Sequence, residues 1–130
     1  MALMSFREKN RVKWMGVRPA HDGVQVLKRA AAINSATIIH TVSAGKTLYL
    51  CYCGMQVLVV ADGGAYVAVY DDTPAYFFPV HRSVVVAGSG PISVGASFWP
   101  PIELLAGYSV QVYSGALVLN VGGTIFGWEE

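Results

Sequence analysis

An all-β fold, two antiparallel sheets packed as a sandwich, is what this sequence predicts, and three observations carry it. Short runs rich in Val, Ile, Thr and Tyr alternate apolar and polar side chains. Clusters of Gly, Pro, Asp and Ser break those runs about every 8–12 residues. No long stretch has the apolar period of a helix. The 130 residues suit one domain, since a second core would have too little chain. Hydrophobic residues make up 54% and charged residues 13%, the latter about half of the ~25% usual in soluble domains. That composition excludes intrinsic disorder. Two cysteines one residue apart, Cys51 and Cys53, exclude a disulfide-stapled scaffold and fit synthesis in a reducing compartment.

Charge divides the chain. Residues 1–29 hold seven basic residues against Glu8 and Asp22, a net +5, whereas residues 30–130 carry −4. Residues 1–35 are therefore read as a basic N-terminal arm, with one short element near Val24–Ile33, and residues 36–130 as the sandwich. Basic residues follow the first apolar residues rather than precede them, so no signal peptide is expected. Thr47–Ala61 is too short and too rich in β-formers for a spanning helix, so no membrane segment is expected.

Within the body, Thr37–Val42 is β-branched and ends at the turn signal Ser43-Ala44-Gly45-Lys46. Thr47–Cys53 alternates, with Leu48, Leu50 and Tyr52 expected on one face and Tyr49, Cys51 and Cys53 on the other. Val57–Val60 is a continuous apolar run, and Asp62-Gly63-Gly64 turns the chain into alternating Ala65–Tyr70. Asp71 to Pro74 is a polar break. Phe77, Phe78 and Pro79 lead into Ser83–Val86, and Gly88 to Pro91 breaks the chain again. Ile92–Phe98 precedes a break at Trp99-Pro100-Pro101. Ile102–Leu105 and Ser109–Tyr113 flank an Ala106-Gly107 turn, and Leu117–Val121 and Thr124–Trp128 close the chain around Gly122-Gly123. About eight to ten short strands result, as in a sandwich or barrel. The segments TVSAGKTLYL and ELLAGYSVQV each place Ala-Gly between an apolar and an alternating strand, which fits the recurring corners of a double-sheet jelly roll.

The run V-x-A-G-K-T-L-Y-L, the corner beginning Pro100-Pro101-Ile102-Glu103-Leu104 and the final Gly-x-x-Phe-Gly-Trp-Glu strand resemble small jelly-roll structural proteins of tailed bacteriophages, the capsid decoration and tail accessory or fibre-tip types. The resemblance covers about residues 37–130. It implies a non-catalytic virion component, often trimeric, and brings no catalytic residue to transfer.

Chemical motifs are sparse. Ala44-Gly45-Lys46-Thr47 has His40 where a phosphate loop needs its first glycine, and a strand follows where that loop needs a helix. Cys51-Tyr52-Cys53 lacks the second ligand pair of a zinc site, so the cysteines are expected to be small buried hydrophobes. His21, His40 and His81 have no ligand spacing, and no cofactor is expected. Asp62, Asp71 and Asp72 stand at strand ends, where turn chemistry explains them without calcium. No nucleophile elbow and no identifiable carboxylate pair is present, so no enzyme is expected.

Beyond residue 29 only eight of 101 residues are Lys, Arg, Asp or Glu, too few to cover the wet faces of two sheets. Apolar outward faces mark contact sites, so a homo-oligomer is expected, a closed trimer first. Arg7, Lys9, Arg11, Lys13, Trp14 and Arg18 are the expected partner-docking residues, directed at a viral capsid or tail protein rather than nucleic acid. Tyr76, Phe77, Phe98 and Trp99 are the expected ligand or subunit-contact aromatics. The function read from these features is that of a decoration or cement protein in the virion. A carbohydrate- or receptor-binding fibre module stands second and a cupin-like metal enzyme third.

Overall fold

A computed structural model describes residues 23–73, 77–88 and 92–130. Eight strands form two four-stranded sheets: β1 (Val24–Ile33), β2 (Ser35–Thr41), β3 (Leu48–Val59), β4 (Gly63–Tyr70), β5 (Phe77–Val85), β6 (Ser93–Leu104), β7 (Ser109–Ser114) and β8 (Asn120–Glu129). One sheet has the order β1-β8-β3-β6 and the other β2-β7-β4-β5, with every pairing antiparallel. That order is the eight-stranded double Greek key of a jelly roll. Among the described residues no helix is long and apolar enough to cross a membrane.

The core lies between the sheets. Leu48, Leu50 and Met55 of β3 and Val121 and Ile125 of β8 meet Val67 and Val69 of β4 and Val110 and Val112 of β7, all at 2% exposure or less. Each such aliphatic side chain contributes about 1.5–3 kcal/mol on burial, which favours the alternation of buried and outward residues seen in β4 and β7. Gly123 permits the closest approach of the sheets: a Cβ there would lie 2.7 Å from Ile39 Cδ1 and 3.1 Å from Val112.

Three sequence readings are corrected by this arrangement. Residues 24–33, placed in the arm, are a full strand of the sheet, so the described sandwich starts at Val24 and not at Ala36. Only Val26 and Ala32 are buried in β1, and an edge strand with so little inward surface leaves a weak apolar period. The faces of β3 exchange at Cys51, where the register with both β6 and β8 shifts between Leu50 and Tyr52. That bulge re-aims Tyr52 outward and Cys53 inward. Finally, Trp99-Pro100-Pro101 does not end a strand. Phe98 to Pro101 bulge from β6 opposite Cys51, with a cis Trp99-Pro100 bond, and pairing resumes at Ile102. Proline is tolerated there because β6 is an edge strand.

The connections segregate to two ends. The β1–β2, β3–β4, β5–β6 and β7–β8 connections share one end, tied by Gly115 N–H donating to the Gly64 carbonyl (2.9 Å) and Val57 N–H to that of Ile92 (2.9 Å). The β2–β3, β4–β5 and β6–β7 connections share the other, where Val42 and Tyr108 are bonded through their backbones (2.8 Å).

Candidate functional site

The outward faces can be read row by row from the registers. Across the first sheet run Gln25–Trp128–Tyr49–Glu103, Leu27–Phe126–Tyr52–Ser97, Arg29–Thr124–Gly54–Gly95, Ala31–Gly122–Gln56–Ser93 and Ile33–Asn120–Val59. Across the second run Ala36–Tyr113–Tyr66–Arg82, Ile38–Gln111–Ala68–Pro79 and Thr41–Ser109–Tyr70. Arg29 and Glu103 are the ionised side chains in the first set and Arg82 in the second. Antiparallel sheets with a wet face ordinarily carry charges along each strand. Here aromatic and small side chains take those positions.

The aromatic groups are ordered. Tyr49 and Trp128 stack at 5.5 Å between centroids, and Tyr66 and Tyr113 at 4.6 Å. Tyr66 and Tyr70 join hydroxyls at 3.1 Å. Burial, with that hydrogen bond and the neighbouring phenols, pushes the Tyr70 hydroxyl up to about 12. Tyr52 lies flat over the paired glycines Gly54 and Gly95, where a Cβ on either would strike its hydroxyl. A shallow cavity of about 130 Å³ beside Tyr52 is lined by Met55, Gln56, Ser93, Val94 and Thr124.

Of the aromatics expected from sequence, Phe98 is half-buried against the core and Trp99 is 56% exposed on the β6 bulge. Phe77 opens β5 opposite Tyr70; its side chain, and Tyr76 entirely, lie outside the described residues, as do His21 and the docking residues Arg7, Lys9, Arg11, Lys13, Trp14 and Arg18. The sequence reading missed Tyr49, Tyr52, Tyr66, Tyr70, Tyr113 and Phe126 as outward-facing groups, and Trp128 as the buried partner of Tyr49. Their signal was available in β4 and β7, where each tyrosine alternates with a buried valine.

The polar residues serve structure. His40 of β2 and Glu129 of β8 are buried together and pair through Nε2 and Oε2, bridging the two sheets near the β2–β3 connection. Burial alone would raise the Glu129 carboxyl, but hydrogen bonds from His40 and Ser43 outweigh it and hold the group below the usual carboxylate range. His81 donates from Nε2 to the Cys53 carbonyl at 2.9 Å. Asp71 accepts from Thr73 N–H and Oγ1, both at 3.0 Å, and Asp62 from Ala87 N–H at 2.5 Å. The first two are turn contacts; the third ties the β3–β4 connection to the β5–β6 connection. Cys53 is buried and Cys51 half-buried, both thiols free, and burial pushes the Cys53 thiol up to about 12. Among the described residues no three of His, Cys, Asp and Glu are grouped to hold a metal.

No protein-family model matches this chain, and no curated protein matches it significantly. Among solved structures it is similar to two pentameric capsid proteins isolated from metagenomic phage sequences, at TM-score 0.47 in each case and 13% and 12% identity. Those alignments cover 100% of this chain and 76% and 78% of theirs. A further similar structure comes from Bacillus endospore appendages that form disulfide-linked pili, at TM-score 0.40 and 15% identity over 85% of this chain and 91% of that one.

Proposed function

We propose that this chain is a non-catalytic structural component of a phage particle, an oligomeric jelly roll that docks on a capsid or tail lattice as a decoration or cement protein. The observation that carries the reading is the near absence of ions from the outward rows of both sheets, where Tyr, Trp, Phe, Gly, Ser and Thr stand instead. Such faces favour contact with other protein surfaces over solvent. Copies close into a ring, with three as the first expectation. The basic segment holding Arg7, Lys9, Arg11, Lys13, Trp14 and Arg18 supplies the docking charge, and repetition over a symmetric lattice turns modest single contacts into stable attachment.

Particle binding tests it. Full-length protein is expected to co-sediment with particles that lack it, and a variant without residues 1–20 is expected to remain folded and stay in the supernatant. Equal binding by the truncated protein overturns the docking role. The glycan-binding alternative is favoured by Trp99, exposed on the β6 bulge. A glycan array on which Trp99→Ala abolishes a specific signal would establish it in place of the lattice reading.

A further inference from the structure

We infer that the end of the sandwich carrying the β1–β2, β3–β4 and β7–β8 connections is the surface through which copies of this chain contact one another. This deepens the oligomer of the proposed function and rests on it. Ile33, Leu58, Val59, Leu117 and Val118 are each exposed by half or more, Leu117 at 79%. They are continuous. Ile33 and Val59 flank Asn120 in one cross-strand row, and Leu58 packs over Gly122 in the next. Leu117 and Val118 lead directly into Asn120.

Together these side chains offer roughly 500 Å² of surface, at the upper end of what a monomer leaves in one apolar patch. Two such patches face to face reach the ~1,000 Å² in total that a specific interface needs. Asp62 is the one ionised side chain among the described residues of these connections, and its carboxylate already accepts from Ala87 N–H. Covering the patch therefore strands no charge. The patch is also held in shape before contact. Ser114 Oγ donates to the Leu119 carbonyl at 2.5 Å and accepts from Asn34 N–H at 3.3 Å, so little ordering cost attends association.

The occupant follows from charge and direction. A lipid surface would need basic residues beside the apolar ones, and none is described at this end. The basic segment enters the fold at the opposite end, where Val24 pairs with Glu129. A second copy of this chain brings the same ion-poor apolar end, so two copies cover one another without stranding a charge.

The test is light scattering of the full chain beside Leu117→Asp and Val118→Lys, with near-ultraviolet circular dichroism to verify packing. Both sites lie on the exposed connection, so native spectra are expected for both. Burying an unpaired ion should weaken self-association about 100-fold or more and shift each variant to monomer at micromolar concentration. Should one variant lose its native spectrum, the other decides. An oligomeric wild type with natively folded variants that stay oligomeric overturns the inference and leaves the proposed function standing. A monomeric wild type overturns the oligomer itself.

Discussion

The two ends of this sandwich are built from the same strands yet finished in opposite chemistry. One end holds Lys46, Asp71, Asp72 and the terminal Glu130, with the buried His40–Glu129 pair just inside it. The other exposes Ile33, Leu58, Val59, Leu117 and Val118, and its one described ion is already hydrogen-bonded. Each end is stabilised differently. The first is tied by internal polar contacts, with Val24 and Leu105 exposed among its charges. The second is complete as a fold but leaves apolar area to be covered by something else.

The largest expected effect breaks the polar end. His40→Ala leaves the buried Glu129 with Ser43 alone of its two hydrogen-bond partners and should lower unfolding free energy by about 3 kcal/mol, measured by urea denaturation at pH 7. The same pair sets an acid limb. The folded-state pKa of Glu129 is depressed, so its contribution is present above the unfolded carboxyl value of about 4.3 and is lost as pH falls through the folded value. Glu129→Gln should flatten stability against pH over that window. An unchanged limb would show that other carboxylates carry it.

At the apolar end, Leu119 is fully buried beneath the β7–β8 connection. Leu119→Ala should cost about 3 kcal/mol by the same assay and loosen the patch above it. A smaller loss is expected from Ser114→Ala, about 1–2 kcal/mol, since the Asn34 N–H and Leu119 carbonyl lose a buried partner together. The smallest effect is at Asn34, which has φ 49° between β1 and β2. Asn34→Ala should cost about 1 kcal/mol and Asn34→Gly about nothing, because the left-handed region penalises a Cβ without a local polar contact. Equal losses for both would mean the amide, not the backbone, holds the turn.

Strand positions with a strong inward period were legible in the sequence. Ala65–Tyr70 and Ser109–Tyr113 fall within β4 and β7 with their valines inside, and the jelly-roll class follows from such runs and the glycine turns between them. What failed to show was local. β1 buries two side chains in ten residues, so the sequence marks a short element near Val24–Ile33 but not its place in the sheet. The bulge at Cys51 depends on the register of β3 against two neighbours, and period alone extends the wrong face through Tyr52. The His40–Glu129 pair joins residues far apart in the chain, and no spacing rule brings them together. The apolar end is likewise a sum over separate connections, each of which reads as an ordinary turn with one stray aliphatic.

Sedimentation velocity of the full chain across the micromolar range tests the central claim most directly. Faces this poor in ions and an end this apolar predict one discrete, closed oligomer whose mass is a whole multiple of 13.9 kDa and does not grow with concentration. A single species at 13.9 kDa throughout that range would contradict the account.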